Sequence, residues 1–134
     1  MLTYTESELL NSPYTNFIQV PTNEAHNHTY WEILVALSGS CMHTLNNKTH
    51  KLSPGKVIIM CPIKDRHFFN NNLDETYRHR DIYITDAEMK KWCNMISPEL
   101  YGELLNAENP VNFTVTSSMT KYIEEMFNTL KSFG

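Results

Sequence analysis

Residues 26–32 read His-Asn-His-Thr-Tyr-Trp-Glu, and a further histidine follows at His67. Successive side chains of a strand point to opposite faces, so His26, His28 and Glu32 share one face if this stretch is a single extended strand. Two imidazoles and a carboxylate make most of a metal site, and His67 from another strand can complete it. Three histidines and one carboxylate suit a divalent transition metal: zinc, nickel, manganese, iron or cobalt.

The composition is that of one globular domain. The chain has 134 residues, of which 41% are hydrophobic and 19% are charged, and this length supports a single buried core. The formal net charge of −4 argues against a nucleic-acid-binding segment, which would carry a basic surface. No apolar run is long enough to span a bilayer, and the N-terminus lacks the pattern of a signal peptide. We therefore expect no membrane partner.

The three cysteines, Cys41, Cys61 and Cys93, are odd in number and show no paired-ligand spacing. This pattern favours a reducing cytoplasm over a disulfide framework. We interpret each cysteine as a small core residue rather than a nucleophile, and we expect a cytoplasmic protein.

The hydrophobic periodicity changes near Thr85. Before it, short β-like runs alternate with turns, which predicts an antiparallel barrel or jelly roll over residues 16–85. The segment 30–37 is apolar on both faces, which is typical of a strand between two layers, and Asn46-Asn47-Lys48 predicts a hairpin turn. The candidate strands are residues 17–20, 30–37, 41–45, 49–52, 57–61 and 76–85.

After Thr85 the period becomes helical. We predict a first helix with Asp86 as its N-cap, and a second helix with Ser97 as N-cap and Pro98 at the first helical position. Residues 111–115 form a short extended piece. A final helix carries an apolar stripe, which packs on the barrel, begins a linker or forms a homodimer interface. The stripe consists of Met119, Tyr122, Ile123, Met126, Phe127 and Leu130. We expect a barrel domain over 1–85 and a helical segment over 86–134.

The motif residues resemble the two conserved motifs of the cupin family. The first motif is matched by His26, His28, Glu32 and Gly39, with Val20 where the family has an earlier glycine. The second motif is matched by Gly55, Pro62, His67 and Asn71, with one extra residue before the proline and Lys64 in place of the second glycine. The resemblance implies a double-stranded β-helix, the cupin jelly-roll barrel, followed here by C-terminal helices.

A narrower resemblance covers nearly the whole chain. A cupin barrel, a segment like residues 77–84 and helices with an apolar stripe resemble the N-terminal effector domain of an AraC-type transcription regulator. This implies a barrel that binds a small-molecule effector, often a sugar, and helices that mediate dimerisation. In that family DNA is bound by a C-terminal pair of helix-turn-helix units, and no such pattern occurs in residues 1–134. We therefore expect the sensor half of such a regulator.

Further residues are candidates for the effector site. Tyr30 and His43 have the parity of cavity-facing positions, so each can contact an effector; the alternatives are a core aromatic and a satisfied polar residue near the rim. His50 and His79 are interpreted as surface or structural residues, and Arg80-Asp81 as a structural ion pair.

Two functions remain open at this stage. In the first, the chain is a sensing module and not an enzyme, and effector binding shifts the arrangement of the helices. In the second, it is a small metal-dependent cupin enzyme, such as a dioxygenase, isomerase or epimerase. The helices after the barrel favour the sensor, whereas the intact ligand set favours the enzyme.

Overall fold

The computed structural model describes residues 2–5, 15–16, 24–70 and 75–133. Within these ranges the β-rich part precedes the helices, as predicted. The elements are β1 (Leu2–Tyr4), β2 (Thr15–Asn16), β3 (His26–His28), β4 (Trp31–Ser38), β5 (Cys41–Leu45), β6 (Lys48–Leu52), β7 (Lys56–Met60), β8 (His67–Phe69), β9 (Arg78–Ile84), α1 (Asp86–Ile96), α2 (Leu100–Asn106), β10 (Val111–Thr114) and α3 (Ser117–Phe133). The candidate strand 17–20 lies outside the described residues.

The strands form two five-stranded sheets that face each other. Their orders are β1-β3-β8-β5-β6 and β10-β7-β4-β9-β2. Among the described strands the neighbours are antiparallel except β1 and β3, which are parallel. The predicted mainly β fold is therefore confirmed, with one addition: β10, from the predicted helical segment, extends the second sheet by pairing with β7.

The strand β4 is covered on both faces, as its sequence predicts. Its inner side chains Leu34 and Ala36 meet residues of the opposite sheet in the central core. Its outer side chain Trp31 packs with Met89 and Cys93 of α1, and residues of α2 border the same cluster. All three cysteines are free and buried, in agreement with their interpretation as core residues.

The chain crosses from one sheet to the other between His28 and Trp31. Thr29 and Tyr30 form a bend, so β3 belongs to the first sheet and β4 to the second. The expectation that residues 26–32 form one strand is therefore wrong. The histidines and Glu32 still meet because both sheets turn their inner faces towards the same interior.

The helix starts differ from those predicted. Thr85 is the N-cap of α1, and its hydroxyl accepts a hydrogen bond from the Glu88 amide. Asp86 is instead the first helical residue, and its Oδ1 accepts from Trp31 Nε1 (2.9 Å) and from the Tyr101 hydroxyl (2.6 Å). This carboxylate fastens the two helices to the sheet and is not available as a cap.

The second helix also begins later in the sequence than predicted. A turn from Ser97 precedes α2, which begins at Leu100 rather than at Pro98.

The predicted hairpin at residues 46–47 is confirmed: Asn46 and Asn47 have φ angles of 50° and 68°, the left-handed conformation that asparagine tolerates.

The apolar stripe on α3 has one buried edge and one exposed edge. Phe127 is only 2% exposed and lies beneath Arg80, whose Cζ is 5.9 Å from the ring centre. Met119, Tyr122 and Met126 are 47%, 60% and 45% exposed. One edge of the stripe therefore packs on the barrel, and the other faces away from it. No helix in the described ranges is both long and apolar enough to cross a membrane.

Candidate metal centre

Three strands bring the four predicted ligands together. β3 supplies His26 and His28, β4 supplies Glu32 and β8 supplies His67. The register of β3 and β8 places His26 directly opposite His67. All four side chains are buried, and one ligand atom from each lies within 4.8 Å of those of the others.

The distances within the set suit an ion. Glu32 Oε1 lies 3.3 Å from His28 Nε2 and 3.4 Å from His67 Nε2. Yet neither Glu32 Oε1 nor His67 Nε2 has a hydrogen-bond partner within the described part of the chain. Buried polar atoms without partners are costly. A cation held by these four residues would satisfy both atoms.

The outer nitrogens of two histidines are engaged. His26 Nδ1 lies 2.9 Å from the Glu24 carbonyl oxygen and donates to it, which leaves its Nε2 as an acceptor. His67 Nδ1 lies 2.8 Å from His43 Nε2. Metal-bound histidines usually use their second nitrogen in this way, and the contact fixes the ring orientation.

Burial keeps His28, His43 and His67 neutral. Loss of hydration, with the neighbouring His26, lowers the pKa of His28 to about 4. Burial, with the nearby histidines, lowers the pKa of His43 to about 3 and holds that of His67 well below its usual value. Neutral imidazole is the form that binds metals, so His28 and His67 are in the binding form at neutral pH.

A second buried carboxylate, Asp81, lies beside Glu32. The register of β4 and β9 pairs Glu32 with Tyr83 and Leu34 with Asp81, so Asp81 is diagonal to Glu32 on the inner face. Burial and the charge of Asp81 together raise the pKa of Glu32 well above its usual range. Burial opposes ionisation of Asp81 as well, but its interactions with His79, Glu32 and Tyr83 together outweigh burial and lower the pKa of Asp81.

Asp81 was not among the predicted site residues, and the predicted Arg80–Asp81 ion pair is wrong. Arg80 points to the outer face, where its Nη2 lies 3.2 Å from Glu124 Oε1. Asp81 points inward, with Oδ2 3.3 Å from His79 Nε2 and 3.2 Å from the Tyr83 hydroxyl. Neighbouring residues of a strand cannot share a face. Strand alternation could have identified the inward-facing polar side chains of this segment, which are Tyr77, His79, Asp81 and Tyr83.

The turn before His67 compensates for its departures from the cupin motif. Ile63 rather than residue 64 takes the left-handed conformation, with φ of 60°. Its amide donates to the His28 carbonyl (2.7 Å), and its carbonyl accepts from Asn27 Nδ2 (3.0 Å). Lys64 Nζ donates to the carbonyls of Leu105 (3.0 Å) and Ala107 at the end of α2. The turn is thus fastened to both β3 and α2.

The two effector candidates lie in different surroundings. Tyr30 is buried, with its ring centre 4.7 Å from that of His28 and 5.2 Å from that of Tyr83. His43 is buried as well and lines a cavity of about 350 Å³ beside the metal centre. Of the other two histidines, His79 is structural, stacked on Phe69 at 5.0 Å, and His50 is exposed. Effector contact by Tyr30 and His43 stays a prediction.

Comparisons with known proteins identify a family model and similar solved structures. A family model described as the AraC-like ligand binding domain matches residues 17–133. No curated protein matches the sequence. Among solved structures, ToxT from Vibrio cholerae aligns with a TM-score of 0.53 and 13% identity, over 84% of this chain and 42% of ToxT. The plu4264 protein from Photorhabdus luminescens aligns with a TM-score of 0.43 and 19% identity, over 57% of this chain and 66% of that protein. The likeness to ToxT supports the fold, and this chain spans less than half of ToxT.

Proposed function

This chain belongs to the AraC-like ligand binding domain family, and from that membership we propose that it is the sensor of a cytoplasmic transcription regulator whose barrel holds a divalent transition metal. Zinc, nickel, manganese, iron and cobalt all suit the donors. A small effector would bind in the same barrel, and the family resemblance implies a sugar. DNA would be bound by a separate helix-turn-helix domain rather than by residues 1–134.

The observation that carries the metal proposal is the buried set His26, His28, Glu32 and His67. Its ligand atoms lie within 4.8 Å of one another, and two of those atoms lack hydrogen-bond partners in the described chain. When bound, the ion would supply a positive centre that attracts an oxygen or nitrogen atom of the effector. His43 would orient His67, and Asp81 would add negative charge beside Glu32.

The strand β9 offers a route from this site to the helix α3. Its inner residue Asp81 lies beside Glu32, while the next residue towards the N-terminus, Arg80, binds Glu124 and covers Phe127 of α3. A ligand that moves the inner face of β9 would therefore alter how α3 sits on the barrel. We propose that α3 passes this change to a second copy of the chain in a homodimer.

Calorimetric titration of the untagged, chelator-treated chain with each of the five metals tests the metal proposal. We expect one ion bound per chain for at least one metal, and loss of most of that affinity in Glu32→Gln and in His67→Ala. His50→Ala is the matched control, because His50 is exposed and outside the set. Absence of binding by the wild type, or unchanged binding in Glu32→Gln, would contradict the proposal.

Hydrogen exchange tests the sensor proposal. Saturation with the metal that binds should change amide exchange within α3, residues 117–133, as well as in β3 and β8. Protection confined to the barrel strands would argue against a signal to the helix.

The second candidate function is a metal-dependent cupin enzyme, which the complete ligand set favours. The two functions differ in the fate of the bound molecule. A compound whose NMR lines broaden on binding the metal-loaded chain should be recovered unchanged from a sensor, whereas steady conversion to a product would support the enzyme.

A further inference from the structure

The two sheets leave a cleft between their edge strands β6 and β10. Each is the last strand of its sheet on this side, with β6 bonded to β5 and β10 to β7. The cleft, which we call the edge cleft, has a volume of about 350 Å³, within the range of small-molecule sites. It is lined by His43, Leu45, His50, Lys51, Leu52, Lys56, Ile58 and Asn112. None of the four candidate metal ligands is among them, so the edge cleft is a separate site.

The charge of the edge cleft is positive in a chain whose net charge is −4. This charge comes from Lys51 and Lys56, and among the described residues no acidic side chain lines the cleft. Lys56 has the strand parity of Ile58, which faces the core, and its Nζ is held 2.8 Å from Asn112 Oδ1. An ammonium group positioned by a neutral amide keeps its charge uncompensated, which favours an anionic partner.

The floor of the edge cleft is apolar. Leu52 and Ile58 come from opposite sheets and are only 1% and 4% exposed. A ligand that fits both the floor and Lys56 therefore has an apolar body and one anionic group. We propose that the edge cleft binds a small organic anion, whose carboxylate or equivalent group meets Lys56 and whose apolar body lies on Leu52 and Ile58.

His43 is the wall that the edge cleft shares with the metal centre. It lines the cleft, and its Nε2 lies 2.8 Å from Nδ1 of His67. An anion bound in the edge cleft would therefore lie beside His43, whose hydrogen bond orients the candidate metal ligand His67. This assignment names the effector class and rests on the proposed sensor function, whereas the anion site itself requires only the residues of the cleft.

NMR titration of the full chain with benzoate tests the proposal, and benzamide is the neutral analogue of the same shape. Benzoate should cause saturable shifts of the amides of His43, Leu52 and Ile58. Benzamide should bind at least about tenfold more weakly, because a hydrogen bond to a charged group contributes more than a neutral one. Lys56→Gln should weaken benzoate binding to a similar extent, and Asn112→Asp should do so by neutralising Lys56.

Lys121→Gln is the control, since Lys121 is an exposed lysine on α3, and it should leave benzoate binding unchanged. The proposal is overturned if benzoate causes no saturable shift up to about 50 mM, a range that covers the weak affinity of so small a probe. It is also overturned if benzamide binds equally well, or if both cleft variants bind benzoate like the wild type. Zinc titration of the wild type reports separately on the metal centre, so failure of zinc binding with intact benzoate selectivity counts against the proposed metal function alone.

Discussion

His43 Nε2 and His67 Nδ1 lie 2.8 Å apart in the interior of the barrel, joined across the neighbouring strands β5 and β8. The other nitrogen of His67 faces Glu32 at 3.4 Å. One imidazole therefore orients another, and His43 acts on the candidate metal centre without belonging to it.

Replacement of His43 by phenylalanine should weaken metal binding about 10- to 100-fold, the usual effect of removing a partner of a metal ligand. The ring volume is kept, but His67 loses the contact that holds its orientation. Calorimetry on the folded variants measures the change. His43→Gln, which retains a polar side chain, should recover part of the affinity, and equal losses in both variants would point to a packing effect instead.

Metal binding should strengthen as the pH rises through the ionisation of Glu32. Burial and the charge of Asp81 raise the pKa of this carboxyl, and an ion must displace its proton. Protonation of His28 competes only near pH 4, because its pKa is lowered to about 4. Affinity should fall by up to about tenfold per pH unit below the pKa of Glu32.

The Asp81→Asn variant is the test of that assignment. Removing the charge beside Glu32 should move the transition in metal affinity to lower pH. Calorimetry in buffers of different ionisation enthalpy should also show fewer protons released per ion near neutral pH. A transition that stays at the pH of the wild type would show that Asp81 has no influence on the titration.

The metal-free protein should lose stability in mild acid through His43. The pKa of this residue is about 3 when folded against 6.5 as reference, so the unfolded chain binds the proton first. The stabilisation due to neutral His43 is complete above about pH 6.5 and is lost as the pH falls towards 3, by up to about 1.4 kcal/mol per pH unit. Urea unfolding of wild type and His43→Gln at several pH values isolates this contribution, and parallel curves would contradict it.

Replacement of Ile63 by glycine should be neutral or stabilise the protein by up to about 1 kcal/mol, because a left-handed β-branched residue is strained. The side chain is 57% exposed and has φ of 60°, so little packing is lost. Ile96→Gly is the matched control: Ile96 is 77% exposed and ends a helix, and its replacement should destabilise by up to about 1 kcal/mol. Urea unfolding that shows equal losses in the two variants would rule out strain at residue 63.

Introduction of a charge on the outward edge of α3 should shift a dimer towards monomer. Met126 is 45% exposed between Tyr122 and the buried Phe127, so Met126→Glu places a carboxylate on the surface that a second copy would cover. Sedimentation velocity measures the effect. Met95→Glu, at an exposed position of α1, should leave the association unchanged, and a wild type that is monomeric at high concentration would end the dimer proposal.

Local features of the sequence were sufficient to predict several strands and one hairpin of the fold. Alternation of apolar residues predicted the strands around β4 and β5, and paired asparagines predicted the hairpin between β5 and β6. These signals succeed because strand parity and turn chemistry depend on neighbouring residues alone. The motif spacing likewise brought out His26, His28, Glu32 and His67 as one set before their distances were known.

Contacts between distant segments depended on the tertiary structure. The bend at residues 29–30 sends β3 and β4 into different sheets, and the register of β4 against β9 puts Asp81 beside Glu32. Lys56 and Asn112 meet only because β10 pairs with β7. The amino-acid sequence by itself determined which side chains could bind a metal, but it did not determine the separate strands β3 and β8 that carry the three histidines. Sheet register and packing decided which groups lie beside those side chains: the carboxylate of Asp81, the imidazole of His43 and the cationic edge cleft. Register and packing bring together residues that are far apart in the sequence, and no periodic pattern along the chain predicts such contacts.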